Sequence, residues 1–225
     1  MSLTNLPAFT LPAFILSLIA TVYFLYRASN KSSTVLWISL GWMLIQTAIS
    51  LSGFYTETQG IPPRFIFLAP PAILFVVLIV ILPSTRSHLA TWNRDWLIAI
   101  SLVRIPVEIS LFLLFVGGAV PQIMTFKGSN FDILSGISAG ILLLWFYRWG
   151  KPNRVLMFIW NSVCLFLLLL IVYHAVLSVP TTFQLYGFEQ PNIAVLYTPF
   201  TLLPAYIVPV VLLSHLLLFR KVDNP

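Results

Sequence analysis

Seven mostly apolar runs partition this chain: about 7–26, 34–55, 65–83, 96–117, 133–149, 155–178 and 196–219. A helix that crosses a bilayer needs ~20 mostly apolar residues, because hydrocarbon offers the backbone no hydrogen-bond partner outside its own segment. The runs fit that length, the fifth being the shortest. The gaps between them are too short to hold a further soluble domain. The expected fold is therefore an all-α integral membrane protein, one domain over residues 1–225, with seven transmembrane helices. Composition agrees. Only 8% of the residues are charged, where a soluble domain carries roughly 25%.

The basic residues orient the helices. Seven spans place Arg27, Lys31, Arg86, Arg94, Arg148, Lys151, Arg154, Arg220 and Lys221 on the side of the C-terminus. Arg64 and Lys127 fall on the other side, and Arg104 lies inside a span. The positive-inside rule then puts the N-terminus outside and the C-terminus in the cytoplasm of a plasma membrane of the bacterial inner-membrane type. The first run lacks a basic region before it and reads as a retained span rather than a cleaved signal. The tryptophans Trp37, Trp92, Trp96, Trp145, Trp149 and Trp160 fall near cytoplasmic ends, as an interfacial belt would. The formal charge of +6 suggests nucleic acid only if position is ignored. The basic residues are dispersed in short gaps and form no patch, so no nucleic-acid partner is expected.

The fourth run reads ISLVRIPVEIS over residues 100–110 and carries the two charges that most need a reason. From a cytoplasmic start near Trp96, Arg104 lies ~12 Å and Glu108 ~18 Å into the membrane. They straddle the middle of a ~30 Å core. Positions four apart share a helix face, and Ser101 joins that face while Pro106 lies opposite. The polar stripe must look into the bundle. A lone charge at that depth costs about 2.5–3.5 kcal/mol on insertion scales. Pairing Arg104 with Glu108 lowers that cost, and an intramembrane ion pair is the expected arrangement. By the same depth count, Gln46 and Tyr206 lie near the middle of their spans, with Thr201 one to two turns outward. These five residues form the candidate pathway.

The gaps on the outer side supply a second group: His174, Asn130, Asp132, Glu189, Gln190 and Asn192. They are candidates for an outward-facing polar vestibule. Asn130 or Asp132 is also placed to cap the fifth helix, and Asn192 the seventh. The stretch Gly136-Ile-Ser-Ala-Gly140 is a small-residue face for close helix packing. Three prolines at intervals of five, Pro199, Pro204 and Pro209, should bend the last span and free carbonyls that must find partners. His88, His174 and His215 fall at different depths, so neither a bis-histidine haem nor a zinc site is expected. No metal and no cofactor is assigned. Cys164 reads as a small buried hydrophobe.

The seven-span layout with an external N-terminus resembles that of microbial rhodopsins. That resemblance implies a lysine in the last span to hold retinal, and residues 196–219 contain none. Pro121-Gln122 resembles the dipeptide of PQ-loop transporters, without a second copy or repeat symmetry.

Three functions follow in order. The first is binding or moving a small polar solute, ion or proton through an outward-facing cavity centred on Arg104 and Glu108. The second is an accessory or structural subunit, with the charged pair as a packing lock and a second copy or other membrane subunits as partners. The third is an intramembrane enzyme acting on a lipid or quinone. It ranks last, because no nucleophile–base set or metal cluster is evident, and a non-enzyme is the more expected of the two classes. Membrane lipid is the surrounding partner in all three.

Overall fold

The structure is a computed structural model that describes residue 3, residues 6–150 and residues 153–223. Lys151, one of the basic residues used above for orientation, lies outside the described residues. Those described are all-α, with no strand among them. Helices α1 (Thr10–Ala28) and α2 (Ser33–Leu51) come first. A 3₁₀ turn at Arg64–Phe67 leads toward α3 (Pro70–Ile81), followed by the short α4 (Pro83–Ala90). Helix α5 (Arg94–Ile100) continues through a 3₁₀ turn at Ser101–Val103 into α6 (Arg104–Val116). Then come α7 (Ile133–Trp149) and α8 (Arg154–Leu177). A π-helical turn at Leu203–Ile207 runs into α9 (Val208–Asp223).

Six stretches are long and apolar enough to cross a membrane: Thr10–Ala28, Ser33–Leu51, Arg64–Ile81, Arg94–Val116, Arg154–Leu177 and Leu203–Lys221. Helix α7 is apolar but only 17 residues long. Two of the six are central. The most apolar window of Arg94–Val116 is 67% buried inside the protein and that of Leu203–Lys221 61%, against 17% for Ser33–Leu51. Helices α5 and α6 pack on α1 and α7, and α9 packs on α3, α5 and α8. Helix α2 stands at the edge.

Local chemistry explains the irregularities of the central span. The Asn93 side chain caps α5 by accepting from the backbone N–H groups of Asp95 and Trp96. Pro106 has no N–H to offer Leu102, and the backbone tightens to 3₁₀ geometry just before it. Ser110 donates its hydroxyl to the Pro106 carbonyl at 2.7 Å.

The fifth and seventh runs differ from expectation. Asp132, at the start of α7, touches Arg104, ten residues past the start of α5. Ten residues are ~15 Å of helix. Helix α7 thus begins near the middle of the central span rather than at its C-terminal end. Residues 117–131, expected as a gap on the outer side, fold back inward, and Ala119, Val120, Met124, Thr125 and Asn130 are buried. Gly136 permits the close approach. A Cβ there would stand 2.7 Å from Ile105 Cγ1 and 3.3 Å from the Ser101 carbonyl oxygen. The last helix begins at Leu203, not near 196, so Pro199 precedes it and only Pro204 and Pro209 lie within. The Ala205 carbonyl, left without its helical donor by Pro209, accepts from Trp42 Nε1 at 2.8 Å. That bond ties peripheral α2 to the bundle.

Candidate functional site

Arg104 and Glu108 are 2% and 1% exposed, turned into the bundle as the stripe argument requires. They do not form the expected ion pair. The salt bridge of Arg104 is to Asp132, Nη1 to Oδ1 at 2.6 Å. The same Nη1 donates to the Cys164 carbonyl at 3.0 Å, and Nη2 lies 2.7 Å from His215 Nε2. Glu108 has a different companion. Its Oε1 accepts from Asn130 Nδ2 at 2.6 Å, while Oε2 has no hydrogen-bond partner. Helical spacing put both charges on one face but says nothing of which neighbour reaches each. The inward fold of residues 117–131 brings Asn130 and Asp132 to that face.

Each member is held by the backbone around it. Asn130 Nδ2 also donates to the Met124 carbonyl at 3.0 Å, and its Oδ1 accepts from Asp132 N at 3.0 Å. Asp132 occupies the N-cap position of α7 but gives no side-chain cap. Its carboxylate goes to Arg104, with the Ser135 hydroxyl 3.4 Å away. On the far side Asn161 Nδ2 donates to the His215 carbonyl at 3.0 Å, which leaves its Oδ1 facing His215 Nδ1 at 2.7 Å. An amide oxygen only accepts, so Nδ1 carries the proton and Nε2 presents a lone pair to Arg104. The guanidinium is thereby matched by a carboxylate, a carbonyl and a neutral imidazole drawn from α7, α8 and α9.

Arg104, Glu108 and Asp132 line a cavity of about 60 Å³, otherwise walled by apolar side chains such as Leu111, Ile171 and Val211. A second cavity, about 700 Å³ and largely apolar, lies between α2, α3, α4 and α9.

The other candidates scatter. Gln46 accepts from the Tyr55 hydroxyl at 2.6 Å and is not among the residues lining the small cavity. Burial pushes the Tyr55 hydroxyl above its ordinary pKa, and the Gln46 bond opposes that only in part. Tyr206 lines the larger cavity. Thr201 is fully buried with its hydroxyl unpartnered, also away from the small cavity. Of the outer group, Asn130 and Asp132 belong to the interior network. Gln190 donates to the carbonyls of Phe115 and Val120, and Asn192 to that of Ala175, so Asn192 braces a loop rather than capping the last helix. His174 packs its ring against Tyr173 and Tyr186, and Glu189 is exposed.

Residues 61–222 match the family model described as Domain of unknown function (DUF8737). The chain belongs to that family. No curated protein and no solved structure matches it. The DUF8737 match takes in Arg104, Glu108, Asn130, Asp132, Asn161 and His215, whereas α1 and α2 precede it. The polar centre therefore lies wholly within the matched residues.

Sequence reasoning missed Asn161, the Cys164 carbonyl and His215. The amide and the imidazole were visible as polar residues inside apolar runs, the same signal that exposed Arg104. The last apolar run, 196–219, ends four residues beyond His215. The helix reaches Asp223, which sets His215 deeper.

Proposed function

We propose that this DUF8737 protein binds a proton or a comparably small ion within the membrane and relays it through Glu108. Arg104, Asp132, Asn161 and His215 form the rigid frame beside it. One observation carries the reading. Glu108 is buried, lines a small cavity, holds one oxygen against Asn130 and leaves the other without a partner. Arg104 is already matched by Asp132, so Glu108 is not needed to neutralise it. A buried ionisable group with spare bonding capacity is the usual mark of an ion or proton path in a membrane protein. Cavity size narrows the solute. About 60 Å³ admits a few waters. Ligand sites for larger molecules run to about 300–1,000 Å³. In the relay, the Glu108 carboxyl gives its O–H proton to a cavity water and regains one from the opposite side.

The placement that goes with this reading is a plasma membrane of bacterial type, seven crossings, N-terminus outside and C-terminus cytoplasmic. The fifth crossing combines α7 with the inward-folded 117–131 segment. The split of basic residues supports that count, because dropping one crossing would mix Lys127 with Arg148 and Arg154.

A structural subunit is the second reading. It is favoured by the way Arg104 joins α6, α7, α8 and α9 through one guanidinium. Purified protein in liposomes with an entrapped pH dye separates the two. Proton flux under an imposed gradient, lost in Glu108→Gln, supports the relay. Flux equal to that of empty liposomes in the wild type supports the subunit.

A further inference from the structure

The larger cavity runs along one face of α2. Ser32, Val35, Ser39 and Trp42 line it at intervals of three and four residues, the spacing of one helix face. From Ser32 to Trp42 is ten residues, ~15 Å of rise. That is about half of a ~30 Å hydrocarbon core, the depth of a single leaflet. Along this length the opposite wall is Phe75, Val76, Ile79, Val210 and Leu213, all apolar.

Polar groups gather at one end. Ser32 and Thr34 from the start of α2 face Thr85 and His88 of α4 there. Lys31 and Arg86 are exposed immediately beside them in the chain. Trp92, also in the lining, is 4% exposed, and its indole N–H has no acceptor. Tyr206, at the other end, is buried with its hydroxyl against Ser39. The Trp92 indole can only donate. A buried donor without an acceptor is costly, and an oxygen acceptor that reaches it from the groove, once the neighbouring side chains part, removes that cost.

We infer that this groove holds a glycerophospholipid of the adjoining leaflet, an acyl chain along α2 and α3 and its phosphate–ester end at Ser32, His88 and Trp92. Three features select that occupant. The groove is one leaflet deep, apolar over most of its lining, and richest in polar groups at the end beside Lys31 and Arg86. The flanking Lys31 and Arg86 complement a phosphate. The unsatisfied group at that end is a donor, as ester and phosphate oxygens require. The inference rests on the chain spanning a membrane and not on proton relay at Glu108, which this cavity does not touch.

Native mass spectrometry of the delipidated full chain, titrated with phosphatidylglycerol, tests it. The wild type is expected to retain one lipid. Ala72→Trp, which fills the groove from α3, is expected to lower retention about tenfold or more, since several methylenes lose their burial. Leu169→Trp, on an exposed face of α8, should retain lipid as the wild type does. Val210→Phe fills the same groove from α9 and gives a second reading should Ala72→Trp not fold, with thermal melting in detergent reporting the fold. Trp fluorescence in a variant keeping only Trp42 and Trp92, the two tryptophans of the groove, should be quenched by phosphatidylglycerol with brominated acyl chains. Equal retention in the groove-filled and wild-type proteins overturns the assignment. So does the absence of a retained phospholipid.

Discussion

Arg104 and Asp132 stand 28 residues apart in sequence and 2.6 Å apart in space, with side chains 3% and 7% exposed. This contact fixes where α7 begins, at mid-span, and it releases Glu108 from the duty of balancing the arginine. Breaking such a pair on one side strands a buried charge, at a cost of about 3–5 kcal/mol. Arg104→Ala and Asp132→Ala should each lower the melting temperature in detergent sharply. The double substitution Arg104→Met with Asp132→Leu should recover much of the loss. Arg104→Lys should not rescue, because an ammonium cannot serve the carboxylate, the Cys164 carbonyl and His215 in the guanidinium's geometry.

His215 and Asn161 act as one unit. Asn161→Ala removes both the bond to the His215 carbonyl and the acceptor for Nδ1, and should cost about 1–3 kcal/mol. His215→Phe should cost a similar amount by leaving Arg104 Nη2 unpartnered. The double variant should lose clearly less than the sum, since the two substitutions break the same network. Melting curves of the three proteins check this; additive losses would mean the two residues act separately.

Gly136 and Gly140 are not equivalent, although they form one small-residue motif. A Cβ at Gly136 meets Ile105 at 2.7 Å and backbone at 3.2 and 3.3 Å, whereas at Gly140 the nearest atom is Leu102 Cδ2 at 3.4 Å. Gly136→Ala should destabilise by about 1–3 kcal/mol through overpacking. Gly140→Ala should stay within about 0.5 kcal/mol of the wild type.

Topology has its own test. Thr56, Ser87 and Ser129 are exposed. Thr56→Cys and Ser129→Cys should react with an impermeant maleimide added to intact cells, and Ser87→Cys only after permeabilisation. The native Cys164 is buried and should give no background. Labelling of all three from outside would dismiss the arrangement of seven crossings.

The helices were legible in the sequence because lipid enforces long apolar runs, and the six crossing-length stretches fall where those runs are. What escaped was tertiary. The run at 133–149 looked like a crossing, yet nothing in its own residues told that Asn130 and Asp132 would be drawn inward by Glu108 and Arg104. The acids of the outer gaps look alike in sequence, and only the fold separates buried Asp132 from exposed Glu189. Periodicity placed Arg104 and Glu108 on the interior face correctly. It could not choose their partners, because that choice depends on α7, α8 and α9 arriving from elsewhere in the chain. The three prolines of the last run were visible, but which of them lay inside the helix was not.

Proton exchange at Glu108 is the claim on which the functional account turns, and infrared difference spectroscopy of the protein in lipid reads it directly. Stepping the pH should raise a carboxyl C=O band in the wild type that Glu108→Gln lacks, while both proteins melt at similar temperatures. An identical pH response in the wild type and Glu108→Gln would contradict the account and leave Glu108 as a hydrogen-bonded brace for Asn130.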